Sequence, residues 1–388
     1  MNLPKHILPI IIFSQFCCTS LWFAGNAIIK DLSQSFDLQD YALGQLTSAV
    51  QLGFIIGTLI LALLTVTDRF SASKVFFYSA LTAGLINLTC LLESNNIYSL
   101  LSIRFATGFF LGGIYPVGMK IASDYFEKGL GKSLSYLVGA LVLGTAFPHI
   151  LKAEIIVISW KSVVLATSCL SILGGLLVLI YVPNGPYYKK ASHFDSSKIF
   201  KVFKNKAFKS AAFGYFGHMW ELYTFWAFVP LLLQKYSKMH NDLNFNIPLL
   251  SFIIIGIGAL GCVIGGKLSF TYGTKRIAVT ALLISGICCL FSPLLFMIDS
   301  KLIFFIILTI WGMAVIADSP LFSTLVAQHT KPDSKGTALT IVNCIGFTIT
   351  IISILVFNKL VEVYNPQFLF VILGIGPLFG LYHLRKTN

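Results

Sequence analysis

Residues 302–327 read LIFFIILTIWGMAVIADSPLFSTLVA, and Asp318 is the single charged side chain among them. About 20 apolar residues carry a helix across a bilayer's hydrocarbon core, and this run exceeds that length. Comparable runs recur at 8–29, 42–65, 75–92, 98–121, 133–152, 161–182, 208–234, 247–270, 277–298, 337–358 and 366–384. They are continuous and do not alternate. Helices are therefore expected, because a barrel would show short alternating segments. The expected fold is an all-α polytopic membrane protein with twelve transmembrane helices.

Composition narrows the function in the same direction. Of 388 residues, 56% are hydrophobic and 11% charged, and mean hydropathy is +0.83. Soluble domains carry about 25% charged residues, so the apolar surface must face lipid. Disorder, collagen, a coiled coil and a secreted disulfide scaffold are excluded. The polar stretches are too short for a soluble catalytic domain, so no enzyme is expected. Cys17, Cys18, Cys90, Cys169, Cys262, Cys288, Cys289 and Cys344 all sit in apolar runs without CxxC spacing. They read as packing residues, and neither a metal nor a cofactor is expected. The apolar run after Lys5 is too long for a signal peptide and reads as a retained first span.

Orientation follows from the basic residues. With the N-terminus in the cytoplasm, Lys5, Arg69, Lys74, Lys120, the lysines of 189–209, Lys275, Arg276 and Arg385 fall on the inner side. Lys30, Lys152, Lys161, Lys235, Lys238, Lys301 and Lys359 fall outside. This positive-inside bias predicts an inner-membrane protein with both termini cytoplasmic. It also accounts for the net charge of +13 without nucleic acid. The longest polar stretch divides the chain into an N-terminal six-helix bundle (1–183), a basic linker lying on lipid headgroups (184–207) and a C-terminal six-helix bundle (208–388). At an offset of 204, Trp22 matches Trp226, Gly108 matches Gly312 and Pro116 matches Pro320. Such internal repeats are how many secondary transporters are built.

The loop after the second span contains Asp68-Arg69 and Lys74. The loop after the eighth contains Gly266, Leu268, Gly273, Lys275 and Arg276. Here the chain resembles the major facilitator superfamily, whose pattern Gly-x-Leu-Ala-Asp-Arg-x-Gly-Arg-Arg/Lys follows the second span, with a degenerate copy after the eighth. The first loop departs from it at Leu64, Ser71, Ala72 and Ser73, and the second lacks the acidic-basic pair. The resemblance covers the whole chain. It implies two pseudo-symmetric six-helix bundles that rock about a central cavity, usually as a monomer. The loop is read as a cytoplasmic latch formed by Asp68, Arg69, Lys74, Gly273, Lys275 and Arg276. Span 4 resembles the family's Arg-then-Gly pattern at Arg104 and Gly108, with Thr107 where Gln is usual. Span 5 departs from the pattern of the drug–proton antiporters, having Thr145 where Pro would follow Gly144.

Charged groups inside spans are functional candidates by default. Glu221 lies near the middle of span 7, with His218 one turn earlier on the same face. A pair there is suited to reversible protonation and is expected to titrate jointly. Trp220, Tyr223 and Trp226 are expected to shape a pocket around it. Asp318 is the second carboxylate, serving either a proton or solute, or a carbonyl freed by Pro320. Arg104 either faces the cavity, where it could bind an anionic group, or satisfies backbone carbonyls. His149 is a further polar candidate at the outer end of span 5. The expected function is alternating-access transport of a small polar or organic-ion solute, coupled to protons. Export of drugs or metabolites, and uncoupled facilitation, stay open as alternatives.

Overall fold

The computed structural model describes residues 6–39, 41–126, 130–153, 159–187, 203–240, 243–331 and 335–385. Backbone N–H and C=O groups that meet no water must be satisfied internally, and each long apolar run accordingly forms helix. α1 comprises Ile7–Thr19 and, after a break, Ala24–Ala27 and Ile29–Phe36. α2 is Ala42–Leu63, α3 Ala72–Leu91, α4 Ile97–Tyr125, α5 Leu130–Lys152 and α6 Trp160–Tyr181. α7 is Lys206–Met239, α8 Ile247–Tyr272 and α9 Thr274–Leu290, with a last turn at Ser292–Leu295. α10 is Lys301–Gln328, α11 Lys335–Val363 and α12 Pro366–Arg385. Among the described residues, nine helices are long and apolar enough to cross a membrane. The other three are α1 and α9, which are broken into shorter pieces, and α7, which is long but carries polar residues such as His218 and Glu221.

The chain divides into two compact units, Met1–Phe194 and Asp195–Asn388. In the first, α2 packs on α4, α1 on α5 and α6, and α3 on α6. In the second, α8 packs on α10, α7 on α11 and α12, and α9 on α12. The pairings correspond one to one, and so do their closest approaches. A Cβ on Gly108 would strike the Val50 carbonyl, and one on Gly312 would strike the Ile254 carbonyl. A Cβ on Gly57 would strike Phe109, and one on Gly261 would strike Met313. Each pair in the second unit is its counterpart in the first shifted by 204. Glycine at these positions lets two backbones meet, which is how helices associate where lipid removes the hydrophobic drive.

Both α4 and α10 start and break at equivalent places. Asn96 accepts hydrogen bonds from the backbone N–H groups of Tyr98 and Ser99 at the start of α4. Ser300 does the same for Ile303 at the start of α10. The second piece of α4, Tyr115–Tyr125, begins after Ile114, and that of α10, Ser319–Gln328, begins after Asp318. Pro116 and Pro320 are second in each restarted piece, where a missing N–H costs nothing. These breaks, and the break in α1 at Ser20–Phe23, lie inside runs that read in sequence as single spans. Gly273 adopts φ +90° between α8 and α9, a conformation that side chains other than glycine rarely take.

Candidate functional site: buried charges in each unit

α7 positions the polar core of the second unit. It is buried on most of its circumference, including His218, Glu221 and Thr224. Glu221 is 1% exposed. Its Oε1 accepts from Trp311 Nε1 at 2.7 Å and from Cys289 Sγ at 3.2 Å. Its Oε2 accepts from Ser285 Oγ at 2.9 Å. Ser285 and Cys289 lie one turn apart on α9, and Trp311 lies on α10. One turn earlier on α7, His218 Nδ1 is 2.7 Å from Asp318 Oδ1. Both side chains are buried, and His218 Nε2 has no hydrogen-bond partner among the described residues. Asp318 stands in front of the restarted piece of α10, yet its carboxylate does not cap that piece. It faces α7 instead.

This arrangement corrects the expected pairing. His218 and Glu221 share a helical face but do not bond each other. α9 and α10 present three donors to Glu221, and Asp318 reaches His218 first. The donors Trp311, Ser285 and Cys289 were not singled out from the sequence. The available signals were a lone indole in its span and an i, i+4 pair of small polar residues. Among the described residues, no buried Lys or Arg accompanies the two carboxylates in this unit.

The three candidate aromatics have packing duties. Trp220 Nε1 donates to the Ile372 carbonyl at 3.1 Å, tying α7 to α12. Tyr223 and Trp226 are buried and meet edge to face, with centroids 5.2 Å apart, and Tyr223 also packs on Phe347 of α11. Three further bonds hold α7 to α11, one of them from Ser353 Oγ to the Trp220 carbonyl at 2.6 Å. Thr224 Oγ1 donates to Ser353 Oγ, and Thr350 Oγ1 donates to the Met219 carbonyl, each at 2.8 Å.

Among the described residues, the first unit holds one buried arginine and no buried lysine. Arg104 donates from Nη1 to the Leu21 carbonyl at 3.1 Å and from Nη2 to the Trp22 carbonyl. Those carbonyls lie in the break of α1, where helical partners are missing. Arg104 thus does what the carbonyl-binding reading described, and it also borders a cavity of about 10 Å³ with Gly25, Asn87 and Cys90. That space holds one water at most. His149 is 3% exposed, with Nε2 unpartnered among the described residues. Gln15 on α1 and Gln51 on α2 are fully buried, and their side-chain amides have no partner among the described residues. Sequence reading passed over both glutamines, since each looks like any polar residue in a span.

Of the residues in the loops after α2 and α8, Arg69, Lys74, Gly273 and Arg276 are exposed and Lys275 is half-buried. The side chain of Asp68 lies outside the described residues, as do residues 188–202 of the expected linker. The residues that lead from α6 into the linker, 182–187, are strapped down. Ser73 Oγ donates to the Val182 carbonyl, Tyr125 Oη to the Pro183 carbonyl at 2.6 Å, and the Tyr187 N–H to the Asp124 carbonyl at 3.0 Å.

Comparison with known proteins gives this architecture its place. Residues 11–354 match the sequence model of the Major Facilitator Superfamily. The chain is 26% identical over 181 residues to the 4-hydroxybenzoate transporter PcaK of Pseudomonas aeruginosa, and 27% identical over 181 residues to that of Pseudomonas putida. Each match spans 46% of this chain and 40% of the relative. Among solved structures, the nucleoside transporter NupG superposes with a TM-score of 0.72 at 17% identity, covering 99% of this chain and 100% of its own. The human organic anion transporter MFSD10 (TETRAN) gives 0.72 at 14% identity, with 98% and 100% covered. A bacterial homolog of the human lysosomal transporter Spinster gives 0.71 at 14% identity, with 98% and 97% covered. These structures share the fold. The chain is a multi-pass membrane transporter rather than an enzyme, and it belongs to the Major Facilitator Superfamily.

Proposed function

We propose that the protein is a secondary active transporter that moves a small polar or organic-ion solute by alternating access, driven by protons. The observation that carries this reading is the core of the second unit. Two carboxylates and one imidazole are buried there with no buried Lys or Arg beside them among the described residues. Ionisable groups inside a membrane are expensive to keep and mark ion pathways or proton relays. The three groups are neutral together when they hold two protons, and they carry one negative charge after losing one. In this reading Glu221 and the His218–Asp318 pair are the coupling groups.

Solute recognition is assigned to buried polar groups of the first unit that have no hydrogen-bond partner among the described residues: Gln15, Gln51 and His149. The similarity to 4-hydroxybenzoate transporters makes aromatic acids the first solutes to try. The chain is placed in the inner membrane as a monomer with both termini cytoplasmic, and the loops after α2 and α8 act as cytoplasmic latches.

The test is flux in proteoliposomes, with and without an imposed pH gradient, for wild type and Glu221→Gln. 4-Hydroxybenzoate leads a panel of organic acids, amino acids, sugars, nucleosides and cationic drugs. Gradient-driven accumulation that Glu221→Gln abolishes is the expected result. Accumulation that persists in Glu221→Gln removes Glu221 from coupling. Equilibration indifferent to the gradient identifies a facilitator, and net outward movement against a solute gradient identifies an exporter.

A further inference from the structure

We infer that Ser285 is the positioning residue that lets Glu221 gain and lose its proton at one defined oxygen, Oε2. The inference rests on the proposed role of Glu221 in coupling. The two oxygens of Glu221 are not equivalent. Oε1 faces two groups from other helices, the Trp311 Nε1–H at 2.7 Å and the Cys289 Sγ at 3.2 Å. An indole N–H donates only, so it holds Oε1 as an acceptor, and the other neighbour of Oε1, the Cys289 thiol, is a weak acceptor for a carboxyl proton. Oε2 faces Ser285 Oγ alone among the described residues, at 2.9 Å.

A hydroxyl both donates and accepts, and it rotates to suit. Ser285 Oγ also lies 3.2 Å from the Leu282 carbonyl, one turn back on α9. Two complete arrangements therefore exist at nearly fixed heavy-atom positions. With Glu221 ionised, Ser285 donates to Oε2. With Glu221 protonated, Oε2–H donates to Ser285 Oγ, and the hydroxyl hydrogen turns to the Leu282 carbonyl. Neither arrangement leaves a buried donor or acceptor unmade, which is what makes a buried polar group costly. The proton enters and leaves from a transient water or a neighbouring acid, and no bond other than O–H forms or breaks.

The other titratable groups near Glu221 are His218 on its own helix, Cys288 and Cys289 on α9, and Asp318 on α10. α8 contributes Cys262, beside Asp318. On α11 the titratable groups are Lys335 at its start, whose side chain lies outside the described residues, Cys344 and, toward its C-terminal end, Lys359 and Glu362. On α12 they are Tyr382, His383 and Arg385, at the end where Ser210 Oγ donates to the His383 carbonyl, three turns of α7 from Glu221. Among the described residues, none of these except Cys289 hydrogen-bonds the Glu221 carboxylate, and Cys289 does so at Oε1.

The experiment is the pH profile of gradient-driven flux for wild type, Ser285→Ala, Ser285→Thr and Glu221→Gln. It is paired with infrared difference spectra of the protonated carboxyl stretch in purified protein. Ser285→Ala removes a charge-assisted bond from the ionised form and a weaker one from the acid. The midpoint should move to higher pH by about one unit, and the carboxyl band should shift. Ser285→Thr keeps the hydroxyl and should restore both. A wild-type midpoint and band in Ser285→Ala, with Glu221→Gln uncoupled, overturns the adapter and leaves the coupling reading intact. Coupling that survives Glu221→Gln overturns both. Should Ser285→Ala fail to fold, Ser285→Cys, of similar size with a much weaker donor, must shift the band in the same direction.

Discussion

The two units are built by the same contacts and differ in the charges placed within them. α2 meets α4 as α8 meets α10, with Gly108 on Val50 repeated as Gly312 on Ile254. The break that ends in Ile114 recurs at Asp318. Subtracting 204 from His218, Glu221 and Asp318 lands on Ser14, Cys17 and Ile114, which are all buried and uncharged. Adding 204 to Arg104 lands on Leu308, which is 0% exposed. The backbone of α4 breaks with Ile114 as readily as that of α10 breaks with Asp318. The carboxylate is therefore not required for the break and is free for other work. The base acts the other way. α1 is broken where Arg104 takes the Leu21 and Trp22 carbonyls, whereas α7 runs unbroken through the equivalent Trp226.

The repeat is broken most severely by filling a glycine contact. Gly108→Val and Gly312→Val each force side-chain atoms into a neighbouring carbonyl, and each should cost about 4 kcal/mol or more. Folded yield in detergent, measured by size-exclusion chromatography, should collapse for both variants. Collapse for only one would mean that the two interfaces are not equivalent. Next comes the asymmetry of α1. Arg104→Met deprives two buried carbonyls of charged donors and should lower stability by about 2–3 kcal/mol, read from thermal unfolding. Unchanged stability with lost transport would make Arg104 a solute ligand instead of a backbone pin.

A transplant sharpens the comparison further. The double variant His218→Ser, Asp318→Ile gives the second unit the residues that the first already uses. It should fold, and proton-driven flux should fall roughly tenfold or more, about 1.4 kcal/mol. Full flux in that variant would release the pair from coupling. The smallest effects belong to the caps. Asn96→Ala and Ser300→Ala should each cost about 1 kcal/mol. Asn96 should cost the more, because it accepts from two N–H groups while its own N–H bonds Ser99 Oγ. Equal and negligible losses in thermal unfolding would show that lipid-facing context overrides the caps.

The helices were legible wherever apolar residues ran on, because hydropathy integrates over a whole span and tolerates local exceptions. The breaks in α1 and α4 were not, since Ser20–Phe23 and Gly112–Ile114 stay apolar or small throughout and hydropathy does not register a lost hydrogen bond. Glu221 and Asp318 stood out as carboxylates in apolar runs. Their partners did not, because a serine, a cysteine and a tryptophan in a membrane helix are ordinary until two other helices bring them together. The equivalence of Val50 with Ile254 was equally hidden. Both are aliphatic, and the feature that repeats is a backbone carbonyl, which every residue has.

The sequence by itself determined that the chain is a helical, multi-pass transporter, that its halves repeat, and which side chains would be costly to bury. Those properties depend on composition, periodicity and charge, which are written one residue at a time. Only the tertiary structure decided that His218 goes to Asp318, that Glu221 goes to Ser285, Cys289 and Trp311, and that Arg104 goes to the broken turn of α1. Each of those choices is a competition among donors and acceptors 64 or more positions apart, from Ser285 to Glu221 at the nearest. It is settled by which helix faces meet and how closely glycine lets them approach.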